Sequence, residues 1–108
     1  MAEEVHRSPL TWAAANGMNV VVEMFLNHPR TDIDHNNADE SGRTPLSWVA
    51  GNGHYECVRL LLGCEKVDAN IPDEHGQTPL SWATMSGKTR VVELLLGHQH
   101  VEVNIAGQ

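Results

Sequence analysis

The sequence predicts an all-α solenoid of three helix-turn-helix units joined by β-hairpin-like loops. Three observations predict it. Ser8-Pro9-Leu10-Thr11-Trp12-Ala13 returns as Thr44-Pro45-Leu46-Ser47-Trp48-Val49 and as Thr78-Pro79-Leu80-Ser81-Trp82-Ala83, at spacings of 36 and then 34 residues. Gly17, Gly53 and Gly87, and likewise Leu26, Leu62 and Leu96, keep the same two spacings. Between glycine and leucine lies an apolar run with helical i, i+3, i+4 spacing, as in Val21, Met24 and Phe25 or Val58, Leu61 and Leu62. Units of this period cannot bury their apolar flanks alone and do so by stacking.

Each copy reads as helix, tight turn, helix and extended loop. The first helix starts at a hydroxyl followed by proline: Ser8-Pro9, Thr44-Pro45 and Thr78-Pro79. The hydroxyl oxygen accepts a hydrogen bond from an orphan N–H, and proline fits the first helical position because it has no N–H to satisfy. Asn16-Gly17, Asn52-Gly53 and Ser86-Gly87 end that helix, since glycine takes the left-handed conformation that stops it. The second helix carries a wide apolar stripe, which needs neighbours on more than one side. Asp39-Glu40-Ser41-Gly42 and Asp73-Glu74-His75-Gly76 have the composition of hairpin tips. Asp32-Ile33-Asp34 aligns with Asp68-Ala69-Asn70 and Glu102-Val103-Asn104, so the two extra residues of the first copy are expected in its tip, around His35-Asn36-Asn37-Ala38. One domain is expected over residues 1–108, with repeats at about 8–43, 44–77 and 78–108 after a tail of residues 1–7.

Composition narrows the function. The chain has 108 residues, 14 acidic against 7 basic and a net charge of −7. Nucleic-acid binding needs a Lys/Arg stripe, which is missing, and the acidic balance favours a partner with a basic patch. No apolar run approaches a membrane span and no apolar core follows the N-terminal methionine, so an intracellular, cytoplasmic setting is expected. Cys57 and Cys64 do not make a disulfide framework, which agrees with a reducing compartment.

No catalytic, cofactor or metal site is expected. His28, Cys64 and His98 share one column, two residues past each terminal leucine. Packed helices lie about 8–10 Å apart, whereas zinc donors must all sit about 2.0–2.3 Å from the ion. Cys57 replaces Val21 and Val91 in its column and reads as a small buried apolar group. Asp39, Glu40, Asp73 and Glu74 are read as solvated, since no apolar pocket surrounds a tip. The recurring indoles Trp12, Trp48 and Trp82 are expected to pack in the stack. Trp48 has a copy on each side, so Trp48→Ala is expected to be the costliest truncation, about 3–5 kcal/mol.

Thr44-Pro45-Leu46, Ala50, Gly53-His54, Val58, Leu60-Leu61-Leu62, Asp68, Asn70, Asp73 and Gly76 together resemble the ankyrin repeat, whose signature is Thr-Pro-Leu-His-x-Ala. The resemblance covers about residues 8–108. Thr11, Ser47 and Ser81 stand where that family has its histidine, and Trp12, Trp48 and Trp82 follow where leucine is usual. The Ser-Trp-Ala variant looks like the ankyrin arrays of filamentous fungi, often the sensor ends of NOD-like receptors. The resemblance implies antiparallel helix pairs, projecting hairpins, no catalysis and partner binding by hairpin tips and the concave face of the first helices. On the tips the expected partner-binding residues are Glu40, Ser41, Arg43, Glu74, His75 and Gln77. On the concave face they are Ala15, Asn16, Gly51, Asn52, Met85 and Ser86. The alternative reading is a structural spacer, or a self-assembling segment that associates through uncapped end faces: Val91, Val92, Leu94 and Leu95 are as apolar as the middle copy.

Overall fold

The computed structural model describes residues 8–28 and 34–103. Among these residues six helices follow in order: α1 (Pro9–Ala15), α2 (Asn19–Asn27), α3 (Pro45–Asn52), α4 (Tyr55–Leu62), α5 (Pro79–Met85) and α6 (Thr89–Leu96). No strand occurs among the described residues. Each first helix pairs with its own second helix. In addition α3 packs between α1 and α5, and α4 between α2 and α6, so the helices form two layers of three.

Local chemistry sets the first helices. Ser8 Oγ accepts from Thr11 N, Thr44 Oγ1 from Ser47 N and Thr78 Oγ1 from Ser81 N, each at the N-cap and each followed by proline. The chain leaves these helices through Gly17, Gly53 and Gly87, all at positive φ. The core lies between the two helix layers. Leu10, Leu46, Val22, Val49, Val58, Leu61, Val91 and Leu95 are buried within it, and alanines such as Ala14, Ala50 and Ala83 let the first helices approach closely.

The indoles are not part of that core. Trp12 is 41% exposed, and Trp48 and Trp82 are half-buried on the hairpin side of the first helices. The expectation that the tryptophans fill the stack is therefore corrected. The close spacing of the first helices leaves room for leucine, valine and alanine between them, and the larger rings are displaced outward.

The hairpin loops are turns closed by backbone bonds. Asp39 N donates to Arg43 O and Gly42 N to Asp39 O; Asp73 N donates to Gln77 O and Gly76 N to Asp73 O. Neighbouring tips are joined by Glu74 N donating to Ser41 O at 3.0 Å. Below the tips, two asparagines tie one connecting segment to the next. Asn36 Nδ2 donates to Lys66 O and its Oδ1 accepts from Asp68 N; Asn70 does the same with His100 O and Glu102 N. Asn36 N is held by Asp34 Oδ1, as Asn70 N is by Asp68 Oδ1. Asp34 thus corresponds to Asp68 and Asn36 to Asn70. This corrects the expected longer tip at His35-Asn36-Asn37-Ala38: the spacing is already 34 there, so the two extra residues lie between the end of α2 and Asp34. Asp32 and Ile33, placed in that alignment from sequence, lie outside the described residues.

Gly42 and Gly76 offer a matched test of tip packing. Both have positive φ, 80° and 79°. A Cβ on Gly42 would lie 2.9 Å from Glu74 N, a backbone atom of the next tip, whereas at Gly76 nothing lies within 4 Å. Left-handed strain is common to both, so it cancels in the comparison. Gly42→Ala is expected to cost about 1–3 kcal/mol more than Gly76→Ala because it forces the tips apart. Paired urea melts read the difference directly, and equal midpoints would show that the tips do not pack on each other.

Candidate functional site

Each tip is held by an aspartate that also reaches the first helix of the repeat that follows it. Asp39 begins the first tip. Its Oδ1 accepts from the backbone N–H groups of Ser41 and Arg43, and its Oδ2 accepts the indole N–H of Trp48 at 2.9 Å. Asp73 makes the same three bonds, to His75 N, Gln77 N and the Trp82 indole at 2.9 Å. One carboxylate therefore fixes a turn and anchors it to a helix. Charge-assisted bonds of this kind are stronger than neutral ones. Burial works against the charge of Asp73, yet the Gln77 amide, the Trp82 indole, the His75 amide and the His75 side chain outweigh it and hold the carboxyl below its ordinary value. Reading these two aspartates as solvated is corrected: Asp73 is only 8% exposed.

Between the two indoles lies Arg43. Its guanidinium carbon sits 3.9 Å from the centroid of the Trp48 ring and 3.8 Å from that of Trp82. Its Nε donates to Ser47 Oγ and its Nη2 to Ser47 O, both at 3.0 Å. Stacking on two aromatic faces attracts the cation by about 1–2 kcal/mol or more when it is desolvated. Gly51 makes the space, because a Cβ there would lie 2.8 Å from Arg43 Nη2. The buried hydroxyls of Thr11 and Ser47 have bonding roles where the ankyrin signature has histidine: Thr11 Oγ1 pairs with Ser8 Oγ, and Ser47 Oγ takes the Arg43 bond.

The residues expected on the partner-binding surface separate into three groups. Glu40, Glu74 and His75 are exposed on the tips, with His75 Nε2 3.5 Å from Glu74 Oε2. Ser41 and Gln77 are half-buried, and their backbone N–H groups are used inside the turns. Arg43 and Gly51 are buried, 9% exposed in the case of Arg43, which corrects their expected exposure. On the first helices Asn16, Asn52, Met85 and Ser86 are exposed and Ala15 is half-buried. Asn16 Nδ2 donates to Trp12 O, and Asn52 Nδ2 donates to Ala15 O across to the neighbouring repeat.

Sequence reasoning missed the indole acceptors. A signal was present: an aspartate stands nine residues before each of Trp48 and Trp82.

No group of three or more His, Cys, Asp or Glu among the described residues has an arrangement able to hold a metal ion. Cys57 is fully buried and its thiol donates to Asn19 Oδ1 at 2.9 Å. Burial pushes that thiol up to about 11, with the Glu56 charge adding to the shift. Thiolate is the reactive form, so at neutral pH iodoacetamide is expected to label half-buried Cys64 and to reach Cys57 only after unfolding. Mass spectrometry of the native protein checks this, and equal labelling of both would contradict the packing.

No helix among the described residues is long and apolar enough to cross a membrane. A comparison with curated proteins finds no match. A family model of three ankyrin repeats matches residues 10–106. With the capped helix pairs, the glycine stops and the two-layer stack in place, the chain belongs to the ankyrin repeat family.

Proposed function

We propose that the chain is a non-catalytic protein-interaction module that receives a basic surface of a protein partner on its hairpin tips. Ankyrin repeats are in general protein-interaction modules. The observation that carries the reading here is the rigid presentation of Glu40, Glu74 and His75. Their side chains point into solvent from turns whose backbone is fixed by Asp39 and Asp73. Rigid presentation lowers the ordering cost of binding, and the net charge of −7 favours encounter with a cationic face. Asn16, Met85 and Ser86 extend the surface along the first helices. The free thiols of Cys57 and Cys64 support a reducing, intracellular setting. The Ser-Trp-Ala pattern supports a place among the fungal arrays that serve as sensor ends of NOD-like receptors.

A photo-crosslinking residue placed at Glu74 tests the surface, with Glu93 on exposed α6 as control. Adducts with a protein partner are expected from position 74 and not from 93. Glu40→Lys with Glu74→Lys is expected to weaken the captured complex about tenfold, equivalent to about 1.4 kcal/mol. Adducts from 93 alone, or capture indifferent to the charge reversal, would overturn the reading.

A further inference from the structure

A line of contacts runs from one tip to the other and passes through Arg43. The backbone of Arg43 closes the first tip, where its N–H donates to Asp39 Oδ1 and its carbonyl accepts from Asp39 N. Its side chain leaves that tip and ends on Trp82, the ring that holds Asp73 of the second tip. In order, the line is Asp39, the Trp48 indole, the Arg43 guanidinium, the Trp82 indole and Asp73. The direct link between the tips, Glu74 N to Ser41 O, runs beside it.

The middle of the line suits a planar cation. Rings from successive repeats take both faces of the guanidinium, and Ser47 Oγ and Ser47 O take its edge. A lysine ammonium has no such pair of faces. Gly51 lies inside α3 and is not at positive φ, so its own backbone does not call for glycine. Glycine inside a helix is disfavoured against alanine. What Gly51 supplies is room, since a Cβ there would lie 2.8 Å from Arg43 Nη2 and 3.5 Å from Trp82 Cβ.

We propose that Arg43 is a positioning residue that couples the two tips, so that a partner meets them as one acidic unit and sets two cationic side chains on them together. The coupling is a property of the chain alone. Its role in recognition rests on the docking reading above. A partner that engages Glu40 and Glu74 on coupled turns orders both in one step.

Hydrogen exchange by NMR on the 108-residue chain, with no partner present, tests the coupling. Arg43→Met removes the guanidinium, and Gly51→Ala displaces it while keeping its charge. In both variants the Trp82 indole and the His75 and Gln77 amides of the second tip are expected to exchange about tenfold faster. The Leu61 and Leu95 amides of α4 and α6 serve as controls and are expected to keep their protection. Asp39→Asn, made in the first tip, is expected to speed exchange in the second tip of the native chain and to add nothing there in Arg43→Met. Faster exchange confined to the first tip would overturn the proposal, and so would an equal change at the controls, which marks plain destabilisation. An Asp39→Asn effect that persists in Arg43→Met would assign the coupling to the Glu74–Ser41 bond instead. The docking reading is judged separately by crosslinking at position 74: coupled tips without adducts there would sink that reading and leave the coupling standing.

Discussion

Leu46→Ala is expected to lower stability by about 3–5 kcal/mol, the range for truncating a leucine that cannot be replaced by local collapse. Leu46 lies in the central helix α3, is 1% exposed, and sits in a layer closed on both sides by α1 and α5. A domain of this size has a net stability of about 5–15 kcal/mol, so the loss takes a large share of it. Trp48→Ala is expected to cost less, about 1–3 kcal/mol, because the indole is half-buried and what it forfeits is one face of the Arg43 stack and the Asp39 bond. That ordering replaces the one expected from sequence. Urea melts of both variants with unchanged slope measure it, and a larger loss for Trp48→Ala would return the indoles to the core.

The second large effect is at Asp73. Asp73→Ala removes the acceptor for two tip amides and one indole and is expected to cost about 2–4 kcal/mol. Asp73→Asn keeps the shape but loses the charge, and it exposes the linkage to pH. The carboxyl is lowered below its ordinary value in the folded chain, so the unfolded chain binds the proton first as pH falls. Its stabilising contribution is complete only well above the ordinary aspartate value of about 4. It is lost as pH drops through the lowered folded value. The gap between the native chain and Asp73→Asn is therefore expected to be widest near neutral pH and to close in acid. Denaturation at a series of pH values reads this, and a gap independent of pH would show that the charge of Asp73 does not hold the tip.

Much of this fold was legible because its determinants are local. Ser8, Thr44 and Thr78 cap helices through an N–H three residues on, and Gly17, Gly53 and Gly87 stop them through their own φ, so neither needs knowledge of the packing. The site was less legible because it is tertiary. Arg43 beside a tip reads as a solvated charge, and only the meeting of indoles from two repeats, with Gly51 giving way, turns it inward. Asp39 and Asp73 read as ordinary turn formers, and that role is real, but their second oxygen serves a ring nine residues away. The extra residues of the first repeat were misplaced for a related reason. Composition aligned Asp34 with Asn70, whereas the hydrogen bonds align Asn36 with it.

The central claim is that a single carboxylate in each of the two hairpin tips, Asp39 and Asp73, locks it to a helix and so makes the tips a fixed surface. Hydrogen exchange followed by NMR reports on it residue by residue. The Trp48 and Trp82 indole N–H groups and the amides of Ser41, Arg43, His75 and Gln77 are expected to be protected, with the Trp82, His75 and Gln77 protons losing protection together in Asp73→Asn. Tip amides that exchange at free-peptide rates while α3 to α6 stay protected would contradict it.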